Sequence, residues 1–129
     1  MKFARVVYRT AAVYGILVLV PLYFLIDKIG HDSPPTVTHP EFFYGFIGVA
    51  LLWQLVFILI ANDPARYRPI MLITILEKIV YTIPVLILHS SGKAPMSTLV
   101  PALVDPIFGV LFVIAYAKTR DVRQAIGLH

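Results

Sequence analysis

The chain contains no cysteine. Disulfide relays, thiolate metal sites and dithiol redox chemistry are therefore excluded. Charge is scarce as well. Asp, Glu, Lys and Arg make up 14% of the 129 residues, against roughly 25% in soluble domains. Recognisable catalytic signatures are missing: there is no glycine-rich phosphate loop, no nucleophile elbow and no HExxH helix, and each of those chemistries depends on its residues at fixed spacing. Ser90, Ser91 and Ser97 have no base in their sequence context and read as loop residues. His31, His39, His89 and His129 all lie at or beyond the ends of apolar runs. A haem held between two transmembrane histidines is thus excluded.

What the sequence has instead is apolar length. The hydrophobic fraction is 59%, and it falls in four runs of the length that crosses a bilayer as helix. They cover about residues 10–29, 42–62, 69–89 and 97–117. The expected fold is all-α, a single membrane domain over residues 1–129 built as a four-transmembrane-helix bundle. The first run follows a basic segment, as a signal peptide would. Ile26-Asp27-Lys28 follows it in place of a small-residue cleavage pattern, so it reads as an uncleaved helix.

Boundaries come from helix-stop and helix-start chemistry. Asn62-Asp63-Pro64 ends the second run and Arg68-Pro69 opens the third, proline being well suited to a first helical turn. His89-Ser90-Ser91-Gly92 closes the third. Both connections are short, which makes helices two, three and four antiparallel neighbours. Residues 30–40 hold Pro34, Pro35 and Pro40 and read as loop.

Lys2, Arg5, Arg9, Arg66, Arg68, Lys118, Arg120 and Arg123 would share one side of the membrane, with only Lys28 and Lys93 on the other. That bias predicts cytoplasmic termini. Tyr8, Tyr67 and Tyr116 would form an inner interfacial belt, Tyr23 and Tyr44 an outer one. The net charge of +4 sits beside the apolar runs, so anionic lipid headgroups are the expected partners, not nucleic acid.

Three charges break the apolar pattern. Glu77 and Lys78 lie in the middle of the third run and Asp105 in the fourth. An ionised group at the bilayer centre costs roughly 2.5 to 3.5 kcal/mol on insertion scales. Such groups must be paired, hydrated or used. With a rise of about 1.5 Å per residue, Lys78 and Asp105 come within roughly 5 Å of one depth. Gln54 in the second run sits at a similar level. Thr74, Glu77, Lys78 and Tyr81 recur at three- and four-residue spacing and form one polar stripe, which predicts a shared cavity with Gln54 and Asp105. Trp53, mid-run, needs a partner for its indole N–H and is placed in the core or on the cavity wall. Pro21, Pro84 and Pro101 weaken the outer halves of three helices, and Pro106 puts Asp105 at an expected local break. Ala11-x-x-x-Gly15 and Gly45-x-x-Gly48 allow close helix approach and are compatible with a homo-oligomer. His31, Asp32, His39 and Glu41 are ligand types that suit a divalent cation, but they match no metal-site spacing. No metal and no cofactor is assigned.

The stretch Asp63-Pro64-Ala65-Arg66-Tyr67-Arg68-Pro69-Ile70-Met71-Leu72, then Leu76-Glu77-Lys78, and the stretch Gly109-Val110-Leu111-Phe112-Val113-Ile114-Ala115-Tyr116 resemble small four-span bacterial membrane proteins that carry no assigned function. The resemblance covers the second half of the chain and implies a bacterial inner membrane. In size and plan alone the chain is also similar to DoxX-like proteins. Small multidrug exporters share the length, but their pattern places a glutamate in the first helix, which here holds no acid before Asp27.

Three functions are compatible with these features. The first is a non-catalytic membrane protein whose midplane layer of Glu77, Lys78, Asp105, Gln54, Tyr81 and Trp53 binds a small apolar or amphipathic ligand or relays protons. The second is a structural or assembly subunit whose buried charges only fix packing. The third is a membrane enzyme acting on a lipid-soluble substrate, and it lacks a second catalytic signature. A cavity at Glu77 and Asp105 discriminates the first and third from the second.

Overall fold

The structure, a computed structural model, describes residues 2–32, 38–92 and 99–120, without the side chains of residues 99–102. Pro34, Pro35, Lys93, Ser97, Arg123 and His129 lie outside the described residues. The described chain is all-α: α1 (Lys2–Leu22), α2 (Ile26–Asp32), α3 (Pro40–Asn62), α4 (Arg68–Ser90) and α5 (Leu99–Lys118). By length and composition α1, α3 and α4 can each cross a membrane. That is compatible with a multi-pass membrane protein.

The bounds of α3 and α4 follow the stop and start residues. Pro40 opens α3, and Glu41 lies in its first turn, where an acid favours the helix dipole. Between α3 and α4 the backbone turns on Tyr67 N–H donating to Asp63 O at 3.2 Å and Arg66 N–H donating to Asp63 Oδ1 at 3.4 Å.

The first helix departs from expectation. It starts at Lys2 instead of residue 10 and stops at Leu22 instead of residue 29. Lys2, Arg5 and Arg9 are helical because a helix can continue past the apolar layer into polar surroundings. At the other end Pro21 has no N–H to give to the preceding turn. The chain tightens there through Tyr23 N–H to Val20 O and Phe24 N–H to Pro21 O, then restarts as α2. Gly30, His31 and Asp32, expected as loop, belong to that short helix. The expected break at Asp105 is also corrected: α5 runs through Asp105 and Pro106 as continuous helix, and α4 runs through Pro84.

Helix α1 packs against α3 and α5, and α4 packs against α5 and α3, so the four long helices follow one another in the order α3, α1, α5, α4. Their directions alternate. Arg5 Nη1 donates to Asn62 O at 3.0 Å, joining the start of α1 to the end of α3. Arg68 donates through Nε and Nη2 to Tyr116 O at 3.0 and 2.9 Å and lies 3.7 Å from the Tyr116 ring, joining the start of α4 to the end of α5. Lys118 Nζ lies 4.5 Å from the Phe3 ring. These contacts define a basic end. At the opposite end Tyr23 stacks on Tyr44 at 5.9 Å.

A closely packed core fills the half nearer the basic end. Tyr8, Phe57 and Phe112 are fully buried. Tyr8 stacks on Phe112 at 4.2 Å and meets Phe57 edge-on at 5.9 Å. Its hydroxyl bonds Thr74 Oγ1 at 2.8 Å, and Thr74 donates to Met71 O at 2.7 Å. Tyr8 is therefore a core residue and not part of an interfacial belt. Its ring meets α3 and α5, and its hydroxyl meets α4. The outer faces are apolar: Leu17, Leu52, Val80 and Ile107 are exposed, while Gln54, Thr74 and Lys78 are buried. Polar groups inside and aliphatic groups outside is the arrangement a hydrocarbon solvent selects.

Candidate functional site

Lys78 is the centre of the polar cluster. Its position on α4 turns it inward, where it is 5% exposed. The ammonium stands 3.6 Å from Glu77 Oε2 and 3.6 Å from Asp105 Oδ1. It also lies 5.1 Å from the Phe57 ring and 5.7 Å from the Phe108 ring, close enough for a cation–π attraction of about 0.5 to 2 kcal/mol. Gly109 of α5 faces the stem of Lys78, and a Cβ there would sit 3.5 Å from Lys78 Cβ. That is ordinary van der Waals contact, so α4 and α5 are closely packed at the level of the charge.

Gln54 approaches from α3. It is 3% exposed, and its Nε2 donates to Ala50 O at 2.9 Å. A carbonyl oxygen can only accept, so this bond fixes which end of the amide is nitrogen. The other end, Oε1, is buried without a hydrogen-bond partner, as is Glu77 Oε2. Gly15 of α1 makes room for Gln54, because a Cβ on Gly15 would overlap the amide.

Above Lys78, away from the aromatic core, lies a cavity of about 110 Å³. Gln54, Glu77, Lys78 and Asp105 supply its polar lining, Tyr14 and Tyr81 its phenolic wall, and Val18, Leu19, Leu22 and Phe46 carry it toward the Tyr23–Tyr44 end. Phe57, Phe108 and Phe112 are buried beneath the charge and do not line the cavity, so the polar groups form its floor. A few tens of Å³ suffice for a water, and an apolar cavity of roughly 150 Å³ takes benzene. The volume here suits several waters or one small organic group.

Five of the six residues singled out in the sequence converge on this cavity: Gln54, Glu77, Lys78, Tyr81 and Asp105. Trp53 does not. It lies one residue around α3, half-buried against the apolar core, because consecutive helical residues point about 100° apart. Thr74 also leaves the expected stripe, since its hydroxyl is used by Tyr8 below the charge. Tyr14, Gly15 and Phe46 were not foreseen. Only Gly15 gave a signal, as the close-approach position of Ala11-x-x-x-Gly15. The loop ligand types form two separate exposed pairs, His31 with Asp32 and His39 with Glu41, and no group of three metal-ligand side chains occurs among the described residues.

No protein-family model matches the sequence, and neither a curated protein nor a solved structure is significantly similar to it.

Proposed function

We propose that the chain is a four-span protein of a bacterial inner membrane, with both termini cytoplasmic, that binds a small ligand at its midplane polar cluster without catalysing a reaction. Helix α5 is the fourth span: it has 20 residues, about 30 Å of helix, which matches a hydrocarbon layer. The charge bias toward the basic end supports the orientation. Mobile protons are compatible with the same site, since water in the cavity would connect them to the acids.

The observation that carries this reading is the unbalanced charge beside the cavity. One lysine faces two carboxylates. A purely structural ion pair needs one of each, and a buried surplus acid is costly unless something else meets it. The cavity leaves space for that partner beside Gln54, Glu77 and Asp105, two of which carry an unsatisfied buried oxygen.

A second reading, a structural subunit, is favoured by the way Lys78 sits between two rings and two acids and locks α3, α4 and α5 in register. Water-edited solid-state NMR of the protein in lipid bilayers separates the two. Ligand binding predicts rapid magnetisation transfer from water to the Gln54 side-chain amide and the Val18 methyls, with none to Phe57 and Phe112. A dry Gln54 amide would favour the structural subunit.

A further inference from the structure

Two side chains that line the cavity, Gln54 and Glu77, each carry a buried oxygen without a hydrogen-bond partner, and both oxygens are acceptors. Gln54 Nε2 donates to Ala50 O, which leaves Oε1 packed toward Gly15, and a neutral amide oxygen can only accept. Glu77 Oε2, 3.6 Å from Lys78 Nζ, lies outside hydrogen-bond distance of any donor. Gln54 is almost wholly buried, so its orphan oxygen is not met by bulk water at a surface. The charged groups on the cavity wall, Glu77, Lys78 and Asp105, sum to one negative charge when ionised. With all three groups ionised, a ligand that completes this site donates hydrogen bonds and carries a positive charge. An anion would find one lysine already shared between two acids. A neutral alcohol would satisfy an acceptor and leave the charge.

The rest of the wall describes the remainder of the ligand. Tyr14, Phe46 and Tyr81 line the cavity, and Phe46 stacks on Tyr81 at 6.0 Å. Aromatic faces attract ammonium groups and also accommodate hydrocarbon. Val18, Leu19 and Leu22 continue the wall toward the Tyr23–Tyr44 end. The polar part of the site is at the bottom and the apolar part above it, so the ligand has a single charged head and a hydrocarbon body.

We infer that the cavity binds a primary or secondary alkylammonium, its N–H groups directed to Gln54 Oε1 and the surplus carboxylate of the Glu77–Asp105 pair, its hydrocarbon lying along α1 and Phe46. This inference rests on the ligand-binding reading above and adds the chemical class. Quaternary ammonium ions are poorer ligands, because they have charge but no N–H for the two orphan acceptors. The volume of about 110 Å³ sets the buried part as a short chain.

The test uses the full chain in phosphatidylcholine nanodiscs, with empty nanodiscs as the blank. Saturable binding of n-butylammonium, n-butanol, n-butyrate and butyltrimethylammonium is measured by calorimetry or ligand-observed NMR. n-Butylammonium should bind at least about tenfold more tightly than the other three, the factor expected for one hydrogen bond to a charged group. Gln54→Leu should weaken n-butylammonium by about tenfold for the same reason and leave n-butanol nearly unchanged. Asp105→Asn, which balances the cluster, should abolish the preference for the cation over n-butanol. Folding of each variant is checked by its helical circular dichroism, and the wild-type series decides the matter if a variant fails to fold. Equal binding of n-butanol, or tighter binding of n-butyrate, overturns the ammonium while leaving a ligand site. If none binds although water reaches the Gln54 amide, a proton or water meets the surplus acid and the inference falls. If the amide is dry, the underlying reading falls with it.

Discussion

Gly15 of α1 and Gln54 of α3 share one space: a Cβ on Gly15 would fall on the Gln54 side-chain amide, with Gln54 Cγ only 2.9 Å away. The glycine is what allows a buried amide to lie between the two helices with its oxygen packed toward Gly15. Gly15→Ala forces the Gln54 side chain to shift. Helix propensity favours alanine by roughly 0.5 to 1 kcal/mol, but overpacking costs about 1 to 3 kcal/mol. The expected result is a lower Tm, with Gly15→Ala/Gln54→Ala recovering most of the loss. A Gly15→Ala protein as stable as the parent and as wet at residue 54 would show that the contact is not tight.

The three charges should respond unequally to removal. Lys78→Met leaves two buried acids without a cation and should destabilise by about 3 to 5 kcal/mol, the usual cost of breaking a buried pair. Asp105→Asn leaves Lys78 with Glu77, a balanced pair, and should cost less than about 1 kcal/mol. Lys78→Met/Asp105→Asn should recover part of the Lys78→Met loss, because one of the uncompensated acids is gone. Unfolding in mixed micelles measures all three. Strict additivity of the two single changes would show that Lys78 and Asp105 are not partners.

Tyr8 ties the core together through its ring and its hydroxyl separately. Tyr8→Phe removes only the bond to Thr74, and Thr74 keeps its bond to Met71 O, so the loss should be about 0.5 to 1.5 kcal/mol. Tyr8→Ala also empties the space against Phe57 and Phe112 and should cost about 3 to 5 kcal/mol. Similar Tm values for the two variants would mean that the stacked ring contributes little.

Asp32 lies outside the long helices and gives a pH prediction. Hydrogen bonds from Lys28 Nζ at 2.6 Å and from His31 hold its carboxyl below the usual aspartate range. A lowered carboxyl contributes stability above its ordinary range and loses it as pH falls through the lowered value. Because Asp32 is fully exposed, the effect is local. Its side-chain carbon resonance should titrate below that of a free aspartate, and Lys28→Met should return it toward the ordinary value.

Much of this arrangement was legible in the residues themselves. The ends of α3 and α4 follow from Asn62-Asp63-Pro64 and Arg68-Pro69, where backbone chemistry is local. The meeting of Lys78 with Asp105 follows from their depth on antiparallel helices. What was hidden depends on rotation and neighbour order. Trp53 and Gln54 are adjacent in sequence but face different surroundings, and only the packing of α1 against α3 decides which one meets the cavity. Tyr8 looked interfacial because basic residues surround it, yet α1 lies between α3 and α5 and turns the ring inward. The inner polar residues of α1 and α3 are few, so their hydrophobic pattern carries little information about which face is buried.

The central claim is a water-accessible cavity inside an otherwise lipid-facing protein. The absence of native cysteine makes it directly measurable. Leu17 and Val18 are neighbours at one depth on α1, but Leu17 is exposed on the outer face and Val18 lines the cavity. Val49 and Ala50 form the same kind of pair on α3. Single cysteines at these four positions, treated in intact cells with a membrane-impermeant methanethiosulfonate, report water directly, since the reactive thiolate forms only where water reaches. The account predicts rapid labelling of Val18→Cys and Ala50→Cys, and none of Leu17→Cys and Val49→Cys. Equal protection of all four from the reagent on either side of the membrane would contradict it.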